Sequence, residues 1–164
     1  MLMQLTPSFI PPWSKSDTLA LFVLLTIAVL LRAVFFTGFF GSDEVTYVGV
    51  ASEIARGEWG THYYIGSNRY GVNLPLAAFL AIFGMHEWAA SLWAFLTSAG
   101  EVVLVYWVAH RLAGRNTAIA AALLLSTTPL HIHLAGRIMA DPPLAFFITL
   151  SFALLLMAEH RQKA

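Results

Sequence analysis

Asp43 and Glu44 stand side by side in the stretch Gly41-Ser42-Asp43-Glu44-Val45-Thr46-Tyr47, directly after a long apolar run. A carboxylate there can take a proton from a hydroxyl, bind a ligand, or simply begin a helix. In the plainer case Ser42 caps that helix and the acids lie in its favourable dipole. Neighbouring helical residues point about 100° apart, so only one of the pair can aim into a given site. Asp141 precedes Pro142-Pro143, a pattern that itself starts a helix. His131-Ile132-His133 offers two imidazoles with no third ligand nearby in sequence, so a divalent metal has no clear ligand set and the cofactor is unknown. Arg32 and Glu101 lie inside apolar runs and read as a structural ion pair, met directly or through water. Glycine-rich phosphate loops, His-Glu-x-x-His pairs and nucleophile elbows are absent from the sequence.

The elements that must position these groups follow from composition. The 164 residues are 59% hydrophobic and 11% charged, where soluble domains carry about 25% charged residues. The formal net charge is zero, which gives nucleic acid no electrostatic footprint, and the lack of cysteine removes disulfides and thiolate chemistry. Apolar runs cover Leu19 to Phe40, Ala89 to Ala109, Ala118 to Leu134 and Pro142 to Ala158, each near the length a bilayer requires. The first is too long for a signal-peptide core and no small-x-small cleavage site follows it. It is read as a retained helix. The fold class expected is therefore an all-α membrane protein with four spanning helices, forming one domain over residues 1–164.

Basic residues set the orientation. Lys15, Arg111 with Arg115, and Arg161 with Lys163 share one side, which puts both termini in the cytoplasm and residues 1–16 in a cytoplasmic tail. Residues 41–88 then form an external loop with two short interfacial helices. Ser42 to Arg56 is closed by Gly57, and Leu74 to Phe83 by Gly84, with a loop from Glu58 to Asn73 between them. Asp43, Glu44, Arg69, Arg137 and Asp141 all face the external compartment in this scheme. Counting from the run ends puts Arg32 roughly 12 Å and Glu101 roughly 16 Å below the outer surface, at about 1.5 Å per residue.

The order of these pieces resembles a family. Arg32 is followed by Asp43-Glu44-x-x-Tyr47, Ala51-x-x-Ile54-Ala55-x-Gly57, Arg69-Tyr70 and Leu74-Pro75-Leu76. Phe83-Gly84-x-x-Glu87, Arg111-Leu112-x-Gly114 and Gly136-Arg137-x-x-x-Asp141-Pro142 complete the order. The series is similar to the amino-terminal part of the GT-C membrane glycosyltransferases. It most resembles the dolichyl-phosphate-mannose–protein mannosyltransferases and the lipid A aminoarabinose transferases, from Thr18 to Ala158. One departure is Asn73-Leu74-Pro75-Leu76, where many members have a basic residue and a Pro-Pro pair.

The resemblance implies a multi-pass enzyme of the cell membrane. It would move a sugar from a polyprenyl-phosphate carrier to a lipid, glycan or protein acceptor on the external face. It makes Asp43 the catalytic acid–base carboxylate and Asp141 the second catalytic acid. Glu44, Tyr47, Arg69, Tyr70 and Arg137 become the substrate-binding set, the arginines suiting phosphate. The chain matches the amino-terminal third of such an enzyme, as a truncated reading frame, a fragment or one piece of a split protein would, the last having the remaining part as its partner. The alternative is a non-enzymatic multi-pass scaffold or transporter subunit.

Overall fold

The computed structural model describes residues 13–59 and 65–162. Their regular structure is helical, with no strand: α1 (Lys15–Val34), α2 (Asp43–Ala55), a 3-10 turn (Ile65–Asn68), α3 (Tyr70–Phe83), α4 (Glu87–Ala113), α5 (Arg115–Thr127), α6 (Pro129–Ala135) and α7 (Asp141–Gln162). Helices α1, α4 and α7 are long and apolar enough to cross a membrane, and α5 with α6 makes a fourth span if the bent pair counts as one. The expected all-α architecture is present, with its boundaries altered in three places.

The first alteration is at the end of α1, which stops at Val34 although the apolar run continues to Phe40. Gly38 and Gly41 both take positive φ there, and a side chain on Gly38 would stand 2.6 Å from a Glu87 carboxylate oxygen. The chain therefore turns over the start of α4 instead of continuing upward. Arg32 lies on the last turn of α1, not eight residues inside it.

The second is in the segment expected to be external. Ser42, expected to cap α2, sits at φ 60° and its side chain makes no capping bond. The end of α2 follows expectation: Gly57 is at positive φ, its N–H donates to Ile54 O at 2.9 Å, and Glu58 N–H donates to Glu53 O at 2.9 Å. This paired closure satisfies carbonyls the helix would leave open. The stretch expected as a loop up to Asn73 contains the 3-10 turn and the start of α3, while residues 60–64 lie outside the described residues. Pro75 inside α3 has no N–H for the Gly71 carbonyl. The Trp93 indole of α4 donates to that oxygen at 2.9 Å, so the proline's lost bond becomes a helix–helix contact.

The third is the expected span Ala118 to Leu134, which is bent by 60° between α5 and α6. Thr128 is extended because a residue preceding proline is driven out of the helical region, and Pro129 then begins α6. Met1 to Pro12 of the expected tail lie outside the described residues. Its last residues begin α1, through a capping box between Ser14 and Asp17.

Packing centres on α4, which touches α1, α3, α5, α6 and α7. Ala28, Val102, Ala118 and Ala122 are all fully buried between α1, α4 and α5. Small residues let such helices approach closely where lipid offers no hydrophobic drive. A second core of Tyr47, Ala51, Leu76, Leu80, Ala90 and Ile138 seats α2 and α3 against α4 and the turn before α7. Outward faces carry Leu19, Phe22, Leu30, Leu144, Ile148 and Leu155, as spans in lipid would.

Candidate functional site

The site is built where two chain turns lie together: residues 35–42, between α1 and α2, and residues 136–140, between α6 and α7. Gly136 allows the approach, since a side chain there would stand 3.2 Å from the Thr37 amide nitrogen. Arg137 comes next in the chain, and its Nε donates to Glu44 Oε1 at 2.8 Å. The Phe40 amide donates to the other oxygen, Oε2, at 2.7 Å, and the Arg137 guanidinium lies 5.0 Å over the Phe40 ring. Glu44 is wholly buried. Burial works against its charge, but Arg137 and the Phe40 and Ile138 amides outweigh it and hold the carboxyl below the ordinary glutamate range.

The neighbouring acids are divided by helical geometry. Asp43, the first residue of α2, is exposed and has no hydrogen-bond or ionic partner among the described residues, while Glu44 turns inward. Asp141 is likewise exposed as the first residue of α7. Tyr47 is buried at 1% exposure, and its hydroxyl accepts a bond from Arg69 Nη1. Arg69 and Tyr70 are exposed, at the start of α3. Arg137 keeps its side chain 19% exposed, and its Nη groups have no acceptor among the described residues. Among the described residues the arrangement offers two carboxylates without a partner, one fixed guanidinium with free donors, and an arginine–tyrosine pair. Asn73, where many members of the resembled family have a cation, is fully buried and donates to the Gly66 and Ser67 carbonyls at 3.0 and 2.9 Å. It holds the 3-10 turn on α3.

Sequence reasoning missed what lies beneath. Arg32 is fully buried and meets no oxygen of Glu101 directly. His131 of α6 stands between them: Arg32 Nη2 is 2.6 Å from His131 Nδ1, and His131 Nε2 is 2.8 Å from Glu101 Oε2. The expected direct or water-bridged pair is thus bridged by an imidazole, with both ring nitrogens engaged. Among the described residues, no three His, Asp or Glu side chains converge as metal ligands. The signal was available, because a histidine inside an apolar run calls for a partner.

Carboxylates and arginines thus gather at one end of a helical bundle with up to four candidate spans. The chain belongs to the dolichyl-phosphate-mannose-protein mannosyltransferase family, which matches it over residues 18–164. It is 28% identical over 160 residues to the undecaprenyl phosphate-alpha-4-amino-4-deoxy-L-arabinose arabinosyl transferase of Yersinia pestis (strain Pestoides F), covering 91% of this chain and 28% of the relative. The same values hold for its counterpart in Yersinia pseudotuberculosis serotype O:1b (strain IP 31758). YkcB of Bacillus subtilis (strain 168), whose name carries a provisional assignment as a mannosyltransferase, is 33% identical over 82 residues, 50% of this chain and 12% of the relative. The chain thus spans under a third of the length of these relatives. No solved structure matches it. The family is one of membrane glycosyltransferases.

Proposed function

We propose that residues 35–44, 69–70 and 136–141 form part of the active site of a glycosyltransferase that takes a sugar from a polyprenyl-phosphate carrier. The acceptor, whether lipid, glycan or protein, is met at the external face of the cell membrane. Both termini are cytoplasmic in this reading, residues 41–88 are external, and the chain works with the rest of a longer or split enzyme. The observation that carries it is the contrast between the neighbouring acids. Glu44 is used up in holding Arg137, while Asp43 beside it is exposed and has no partner among the described residues.

Asp43 accepts the proton of the acceptor hydroxyl as its oxygen bonds to the anomeric carbon. The bond from that carbon to the carrier phosphate breaks, and the phosphate leaves with the electron pair. Arg137, oriented by Glu44, and Arg69, steadied by Tyr47, stabilise the developing negative charge. Tyr70 lies beside Arg69 as a sugar contact, and Asp141 is the second acid of the site.

Asp43→Asn in the complete enzyme tests this reading. Asparagine keeps the shape and the helix start but cannot take a proton at neutral pH. Turnover should fall about 10²–10⁴-fold with membrane insertion and helix content unchanged. A helix-starting role alone would leave Asn nearly as good as Asp, so near-normal turnover removes Asp43 from the chemistry.

A further inference from the structure

Helix α6 has only seven residues and comes after a 60° break. A helix that short has no independent stability, so its contacts must set its direction. Ile132 and Ala135 supply buried apolar contacts. The polar anchor is His131, and its surroundings define it closely. Arg32 Nε donates to Ser98 Oγ at 2.8 Å, Nη1 to Ala28 O at 3.0 Å, and Nη2 faces His131 Nδ1 at 2.6 Å. A guanidinium has donors only, so Nδ1 must present its lone pair, and the ring proton must sit on Nε2. From there it is donated to Glu101 Oε2 at 2.8 Å, while Thr149 Oγ1 donates to Glu101 Oε1 at 3.4 Å. A neutral imidazole thus completes the balance between one cation and one anion, and the network joins α1, α4, α6 and α7.

What α6 carries gives this network a use. Six residues beyond His131 comes Arg137, with Gly136 against the turn after α1 and the Ile138 amide on Glu44. The span from His131 to Arg137 is short, roughly 9 Å at about 1.5 Å per residue, and most of it is helix. A tilt of α6 therefore moves the guanidinium and the start of α7 together. We propose that His131 is a positioning residue for sugar transfer: as a neutral bridge between Arg32 and Glu101 it clamps α6, and so sets Arg137 and Asp141. It touches no substrate. The proposal rests on the transfer reading above for its consequence, and on the geometry alone for the clamp.

The two parts are tested separately on the complete enzyme in lipid nanodiscs. Leucine in His131→Leu cannot accept from Arg32 or donate to Glu101. Glutamine in His131→Gln has a carbonyl for the first and an amide for the second. Hydrogen exchange at residues 137–140 should become at least about 10-fold faster in the leucine variant and stay near wild type in the glutamine variant, with α4 unchanged in both. Nitrogen NMR of His131 should show protonation at Nε2 alone at neutral pH. Unchanged exchange at 137–140 in the leucine variant, or a doubly protonated ring, overturns the clamp. If the leucine variant does not fold, His131→Asn carries the same exchange test, being too short to bridge both partners. Transfer by the leucine variant should fall about 10–100-fold, as sub-ångström to ångström misplacement can cause, and be restored in His131→Gln. Loosened exchange with full transfer rejects the positioning role. Full transfer by Asp43→Asn as well would instead reject the site reading and leave the clamp standing.

Discussion

At the scale of single residues, adjacency hides a division of labour between Asp43 and Glu44. The sequence shows two equivalent acids, and only the helix they begin decides which points into protein. Glu44→Gln is expected to do harm. It leaves the Arg137 guanidinium without its counter-charge, 19% exposed and over the Phe40 ring. Weakening a hydrogen bond to a buried charged group costs about 1–3 kcal/mol, so thermal stability and turnover should both drop. The pH dependence has a definite sign. Glu44 is held below its ordinary range when folded, so its contribution is complete above the unfolded carboxyl pKa and is lost as pH falls through the lower folded value. The stability gap between wild type and Glu44→Gln should therefore be constant from pH 7 to about 5 and narrow only in stronger acid, below the usual value near about 4.3. Thermal melts in detergent across that range check it. A gap that stays constant into strong acid would mean the lost charge is not what matters.

At the scale of elements, what could be read from the sequence was the apolar runs and the stops built on glycine and proline. Helix α4, the closure of α2 at Gly57 and the start of α7 at Asp141 all follow from local chemistry. The end of α1 and the break before α6 were less legible, because apolarity continues through both and tertiary contacts decide. Gly38 against Glu87 is a contact that no window of sequence contains. Pro75 shows the same limit within α3: its cost is visible in sequence, but its compensation by Trp93 comes from a different helix. This gives a double-mutant cycle. Trp93→Phe should lose about 0.5–1.5 kcal/mol, the usual net worth of a hydrogen bond. In a Pro75→Ala background the alanine N–H can serve the Gly71 carbonyl, so the same change should cost less by a measurable coupling energy. Equal losses in the two backgrounds would show that the indole acts by packing alone.

At the scale of the whole molecule, the two ends are built from different chemistry, and the chain fastens each by distant segments. At one end Asp17 is buried beneath the Tyr106 hydroxyl at 3.3 Å, with His110 and Arg115 each 3.5 Å away, so the starts of α1 and α5 and the end of α4 are tied together. At the other, Gly38 in the turn after α1 lies against Glu87 of α4, Gly136 before α7 lies against Thr37, and Arg137 bonds Glu44 of α2. The sequence pointed to a shared side only through alternating basic residues; the ties themselves join residues far apart in the chain, which is why the sequence offered candidate residues and not their geometry. Orientation in the membrane is then a single choice for the whole bundle, and it decides the function proposed. These 164 residues hold no cysteine, so an introduced cysteine is the one thiol target within them. Ser67 is a poor position because it is only 4% exposed. Asn68, exposed at the end of the 3-10 turn, and Asn116, exposed near the start of α5, sample the two ends. In intact cells a membrane-impermeant maleimide should label Asn68→Cys and leave Asn116→Cys unlabelled until the membrane is opened. The reverse pattern would put Asp43 and Arg137 in the cytoplasm and end the case for an external acceptor, while the fold and the division between Asp43 and Glu44 would stand.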